Sequence, residues 1–417
     1  MSKIHNLLRE STTTGTSSIG RPDLVALTRA TTNLIYTDLV ASQRTKQPEA
    51  TLYGVKYLNH DKVMSFMSAA TYAGAISSRD GIPEFENKAW AKGDLFQNEK
   101  VVYKVLKDNP FEGTSETEPF DIISEAIVDS AIRLVAEAAD TSKFESADSD
   151  VSDASFRMDR WKVPVKSRKL RTDLTVELAQ DMEANGFDAA VTVEDVLATV
   201  MAEEVNKDIV QSLITVSSRF RVEGISDKGM LDLTGVDEAP EMGRRLYRYI
   251  CEMNGNIQRQ TSYSGTYVLA SSRVAAMLDA SGWVKEDEDS ELSYGKLNNG
   301  LKLYVDAVTP VDYVIVGVKA TFGELESVGS LFYAPYTEGL DLEDPEHVGA
   351  FKVIVDPDSL QPTVCLLVRY GLSVNPYTLG IADKDARVID GSDMDNLAGL
   401  SKMSVLLGVK LPKLIED

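Results

Sequence analysis

Apolar and polar positions along the chain follow different periods in different stretches. Over 192–216, Val193, Leu197, Val200, Met201, Val205, Ile209 and Leu213 recur at three- and four-residue spacing, the signature of a helix with one apolar stripe. Glu203, Glu204, Asn206, Lys207 and Asp208 fill the remaining positions. Thr192 is placed to accept from the backbone N–H of Asp195, and Glu194 and Asp195 put negative charge at the positive helix end. A helix of that extent is on the order of 36 Å long, enough to span the middle of a domain. Immediately before it, 161–173 reads as a strand with a basic edge, followed by a short helix and a break at Gly186.

Beyond the long helix, the spacing predicts a helix near 242–256, a strand over 266–271 and a helix over 272–280. Apolar stretches at 301–307, 312–320, 330–336, 349–355 and 362–374 read as strands, and the mildly apolar tail 396–414 as one more. The 295–300 stretch, GKLNNG, is a turn between strands. Together these predict an α+β body with an antiparallel-leaning sheet. Upstream, 22–42 gives a short helical pattern and then an extended stretch, and 51–58 a strand.

From 59 to 153 the pattern loosens. Gly74, Gly81, Pro83, Gly93, Pro110 and Gly113 punctuate it, around a short strand at 101–106. A helix is predicted over 120–139, with Ile122, Ile123, Ala126, Ile127, Ala131, Leu134 and Val135 on its apolar face, and an acidic Ser/Asp run closes the segment at 145–153. The segment reads as an excursion that leaves the main body near Tyr57 and returns at Phe156. Lacking a dense apolar core of its own, it is expected to be an arm that packs on something else.

Length and composition narrow the class. At 417 residues, 43% hydrophobic and 26% charged, the chain fits a soluble globular protein of roughly two or three domains or subdomains. No apolar run reaches the length of about 18 residues that a membrane span needs, and the N-terminus MSKIHNLLRE lacks the pattern of a secretory signal. Cys251 and Cys365 lie far apart inside apolar segments and read as free thiols. The formal net charge of −22 works against a broad nucleic-acid-binding surface, which needs clustered cations. Lys162, Lys166, Arg168, Lys169 and Arg171 form the one basic cluster. It fits either an acidic patch on a copy of the same protein or a solvated strand edge.

Candidate chemistry is sparse. The three histidines, His5, His60 and His347, have no Cys, His or carboxylate at metal-ligand or triad spacing. Neither a phosphate-binding Gly loop nor a dinucleotide fingerprint occurs. Glu286, Asp287, Glu288, Asp289 and Glu291 read as a solvated acidic loop rather than a general acid–base or divalent-ion site. A large chain with no cofactor signature and no catalytic motif fits a structural or assembly role better than an enzyme.

Several stretches, in chain order, carry a family resemblance. Lys166, Ser167 and Arg168, then Glu177, Leu178, Ala179, Gln180 and Asp181, then Glu204 and Asn206 resemble the helix-spanning segment of the major capsid proteins of T-even-type tailed phages. The stretch 266–278 resembles that family's strand and following helix, and 331–336 its Tyr-Ala-Pro-Tyr motif. Asp356, Pro357, Gln361, Pro362, Arg369, Tyr370, Gly371, Asn375 and Pro376 match a further pattern, and the Asn33–Ile35 step falls in the N-terminal arm. The matches cover roughly 15–58 and 156–378.

The resemblance implies an HK97-like capsid fold with N-terminal arm, E-loop, peripheral domain with a long spine helix, and axial domain. In this chain it implies an arm and first peripheral strand at 1–58 and an E-loop region, with a possible small insertion, at 59–155. A peripheral strand and spine helix follow at 156–220, the axial domain and returning peripheral strands at 221–360, and the C-terminal strands and tail at 361–417. The function implied is a shell subunit of a tailed phage head, built into hexamers and enclosing double-stranded DNA that it does not specifically bind. The implied partners are other copies of itself together with vertex, portal, scaffold and decoration proteins. No membrane is involved; assembly would take place in the host cytoplasm and the product would be the virion. A pentamer-forming vertex protein of the same fold is the close alternative; an encapsulin-type compartment and an enzyme with an unrecognised carboxylate site are the others. Family members lose a propeptide after a Leu/Ile-x-Glu sequence, which implies cleavage between Glu10 and Ser11 here. Lys166, Arg168, Lys169 and Arg171 are the expected subunit-interface cations.

Overall fold

The long helix runs Ala189–Val216, 28 residues and about 42 Å. It starts one turn earlier than predicted, so Thr192 lies inside the first turn instead of capping it; the Ala189–Ala190 pair, with the lowest cost of helix entry, extends the helix backward. Leu197, Met201, Val205, Ile209, Leu213 and Val216 are buried, and Ala202 and Val210 widen the stripe. The computed structural model that shows this describes residues 36–58, 74–99, 101–112, 118–145, 151–186, 189–235, 239–287, 293–322, 326–336, 350–355, 362–380 and 389–413. The chain divides into two units, one of residues 53–160 and one of 1–52 with 161–417.

In the larger unit, the helix stripe packs against two sheets. The first has five strands. Pro362–Val374 takes Ala350–Val355 and Leu331–Pro335 as antiparallel partners, Lys166–Asp173 also pairs with it, and Ala41–Ser42 lies parallel to Leu331–Pro335. The second has eight strands, in the order Val284–Lys285, Gly295–Leu297, Lys302–Asp306, Tyr267–Ser271, Tyr313–Gly317, Ser401–Lys410 and Ser217–Arg219, with Met230–Asp232 also on Ser401–Lys410. Every residue of Tyr267–Ser271 and Tyr313–Gly317 is buried. Strand alternation explains the continuous apolar run. Tyr267, Leu269, Tyr313 and Ile315 join the core of the long helix. Val268, Ala270, Val314 and Val316 join a second core with Leu246, Ile250, Met253 and Ile257 of the helix Ala239–Thr261 and Val274 and Leu278 of the helix Ser272–Ala280.

The tail read as one more strand is an interior strand of this sheet. Ser401–Lys410 pairs antiparallel with Tyr313–Gly317 on one side and parallel with Ser217–Arg219 and Met230–Asp232 on the other. The N-terminal side is anchored at Leu39, Val40 and Ala41, all fully buried, and Tyr304 Oη donates to Asp38 at 2.7 Å.

The smaller unit corrects two expectations. It has a core of its own. The strands Leu95–Asn98, Val101–Val105 and Ile132–Leu134 form a sheet, and Phe96 lies 5.2, 5.3 and 5.8 Å, centroid to centroid, from Trp90, Tyr103 and Phe111. Ile122, Ile123, Ala126 and Ile132 complete the cluster. Its large rings are separated by turn residues, so neither the helical nor the strand period reveals them. The predicted 120–139 helix ends at Val128. Ser130 turns the chain at φ +53°, and the Ala131 N–H closes onto the Ala126 carbonyl. Ile132 and Leu134 then pair with the strand Val101–Val105. The spacing of the apolar residues satisfies a helix, but the sheet partner decides the outcome.

Candidate assembly surface

The predicted basic cluster lies on and just before the strand Lys166–Asp173, and the structure divides it. Successive side chains of a strand face opposite ways. Arg168, Leu170 and Thr172 stand opposite Val368, Leu366 and Val364, which are in the core under the long helix; Lys169, Arg171 and Asp173 stand opposite Leu367, Cys365 and Thr363 on the other face.

Arg168 faces inward. Its Nη1 lies 3.1 Å from Glu204 Oε2 and its Nη2 3.3 Å from Asp208 Oδ2, both carboxylates of the long helix. Its Nε donates to Tyr370 Oη at 2.7 Å, and that hydroxyl donates to Asp208 Oδ2 at 2.5 Å. Burial, and then the Asp208 carboxylate, push the Tyr370 hydroxyl well above the usual tyrosine range, so it stays a donor. Lys207 Nζ reaches Glu204 at 3.0 Å and Glu203 at 3.5 Å, closing the chain of charges along the helix. The acidic partner that Arg168 was expected to find on a neighbouring copy is present in its own long helix. This network ties the strands Lys166–Asp173 and Pro362–Val374 to the helix.

The other cations of the cluster fall into two groups. Lys162 Nζ pairs with Glu49 Oε2 at 2.7 Å. Lys166 contributes to holding the Asp390 carboxyl below its usual range, after the hydroxyl and backbone N–H of Ser392, which are the main causes. Lys169 and Arg171 are exposed. Asp173 accepts from Thr363 Oγ1 at 2.7 Å, and Arg369 stacks over the Tyr336 ring at 4.3 Å.

Glu10 and Ser11 lie outside the described residues, as do His5, His60, His347 and the 288–292 part of the acidic loop. Among the described residues, no group of three or more His, Cys, Asp or Glu is placed to hold a metal ion, and no helix is long and apolar enough to cross a membrane. Composition hid Asp208 and Tyr370 as partners of Arg168. The one signal available was the alternation Arg168, Leu170, Thr172, which puts Arg168 on the apolar, inward face.

The family model described as "Major capsid protein Gp23" matches residues 17–409. The chain belongs to the Gp23 major capsid protein family. It is a phage capsid shell protein of the T4-like type, part of the virion, which assembles into a shell with other head proteins. The α+β class expected from the sequence holds. Two relatives from Enterobacteria phage T4 differ sharply in likeness. Its capsid vertex protein is 58% identical over 427 aligned residues, covering 100% of both chains. Its major capsid protein is 27% identical over 284, covering 62% of this chain and 51% of that one. A solved structure titled "Mycobacterium phage Che8" is 11% identical, with a TM-score of 0.41, over 94% of this chain and 98% of that one.

Proposed function

We propose that this capsid protein is the vertex subunit, forming pentamers at the corners of an icosahedral head. The observation that carries this is the contrast within one phage: 58% identity over the full length to the chain named capsid vertex protein, against 27% over part of the length to the chain named major capsid protein. The hexamer-forming role expected from the sequence takes second place, because the likeness to the major capsid protein is lower and covers only part of the chain.

The domain roles follow the same frame. The 59–155 region serves as E-loop with a folded insertion, the long helix as spine, and the eight-stranded sheet with its two covering helices as the axial domain. Its partners are further copies in the pentamer and, around them, the hexamer-forming shell protein, scaffold and decoration proteins, joined in the host cytoplasm.

Closed rings of heterologous contacts fix the stoichiometry. A vertex subunit is present in on the order of tens of copies per head, a hexamer subunit in hundreds. Quantitative mass spectrometry of purified heads, with electron microscopy of heads carrying a tagged copy, tests the role. Tens of copies with tag density confined to five-fold positions are expected; hundreds of copies spread over six-fold positions would overturn it.

A further inference from the structure

We infer that the exposed face of the Lys166–Asp173 and Pro362–Val374 strand pair is a docking surface for an acidic patch on a second copy of this chain, with Lys169 and Arg171 as its charged anchors. The inference rests on the chain being a shell subunit, and it goes beyond that by naming the surface. Of the five cations in the basic cluster, the fold pairs two internally, Lys162 with Glu49 and Arg168 with Glu204 and Asp208, and Lys166 stands in the inward register of the strand, opposite Tyr370. Among the described residues, no carboxylate lies at ion-pair distance from Lys169 or Arg171. This occurs in a chain with 65 acidic against 43 basic side chains, where a carboxylate is the commonest charged neighbour available.

The surroundings fit a protein partner. Lys169 stands opposite Leu367 and Arg171 opposite Cys365, both half-buried, and Ile354, 49% exposed, follows in the register of Thr363 and Asp173. An apolar strip rimmed by cations matches the make-up of a protein interface, an apolar centre with a polar rim. Arg369 shares this face but lies over the Tyr336 ring, and a duplex DNA site would need a longer run of Lys and Arg than these three. A second copy supplies the complement, because its net charge is −22. Both cations lie on the face away from the long helix, so changing them leaves the Arg168 network in place.

The test is incorporation into heads made in infected cells in which the variant is the sole source of this chain, read by quantitative mass spectrometry. Purified variant is checked alongside by circular dichroism melting and by retention of duplex DNA at low salt. K169E/R171E is expected to melt with the wild-type protein and to fall at least tenfold in copies per head, while K169R/R171K incorporates normally. K169A/R171A, which removes the charges without reversing them, should show an intermediate loss and serves if the double reversal melts early. Wild-type incorporation of the folded charge-reversed or charge-removed variant would overturn the inference. So would wild-type incorporation combined with a selective loss of DNA retention, which would mark the face as a phosphate surface. Failure of the vertex role would appear separately, as hundreds of wild-type copies per head.

Discussion

Tyr370 is the residue through which a strand and a helix share one charge. Its hydroxyl accepts from Arg168 and donates to Asp208, so Tyr370→Phe removes both bonds and leaves Arg168 with its two carboxylates. Hydrogen bonds to charged groups are worth roughly 1.5–3 kcal/mol each. With the ion pairs intact, the expected net loss is about 1–2 kcal/mol, read as a lower melting temperature and urea midpoint. The same hydroxyl carries a pH dependence. Its ionisation is pushed upward by burial and by Asp208, and that of Tyr313 by burial and by Asp306. A group whose folded pKa is raised contributes stability that is complete below its unfolded value, about 10 for tyrosine, and lost as pH rises beyond it. The urea midpoint should therefore hold at about pH 8 and fall above about pH 10, and the fall should be shallower in Tyr370→Phe. An equal fall in both proteins would remove Tyr370 from the account. Sequence alone showed that Arg168 was one of a cluster. It did not show that Arg168 is spent internally, because its partners are 36 and 40 positions away on another element and only the fold brings them together.

At the scale of elements, legibility followed the strength of the local period. The stripe from Leu197 to Leu213 has one solution, and the structure has that helix. The strands at 267–271, 302–306 and 313–317 were legible because short apolar runs bounded by turns suit strands buried on both faces. Order within the sheet was not legible. Nothing in the 401–410 stretch says that it lies beside Tyr313–Gly317, a pairing set across nearly a hundred positions. The junction of these strands is tight. Gly317 stands opposite Tyr267 in antiparallel register, and a Cβ at that position would overlap the ring and hydroxyl of the fully buried Tyr267. Gly317→Ala should cost about 1–3 kcal/mol through overpacking, although it adds one methyl group. Chemical denaturation of the purified protein measures it. A neutral result would mean that the Tyr267 ring can shift, which its place in the core of the long helix argues against.

For the whole molecule, the sequence pointed to assembly by elimination: a large acidic chain in which no catalytic motif or cofactor signature stands out. The motifs at 166–181, 331–336 and 356–376 then led to the capsid family, but short motifs do not distinguish vertex from hexamer roles; likeness over the full length does. The division into two units was half legible. The excursion beginning near Tyr57 was visible, whereas its own core was not, because Trp90, Phe96, Tyr103 and Phe111 follow no regular spacing. That core has a consequence for how the chain unfolds. Phe96 is fully buried among four other rings, and truncating such a ring costs about 3–5 kcal/mol, much of what a unit of this size can hold. Phe96→Ala should therefore open the 53–160 unit while the larger unit stays folded, since its cores are built from other residues. Hydrogen exchange should show lost protection in Val101–Val105 and Pro119–Val128, with Ala189–Val216 and Ser401–Lys410 protected as in the wild type. If protection falls together in all four, the two units unfold as one, and a defect introduced in the excursion would reach the long helix Ala189–Val216 before assembly.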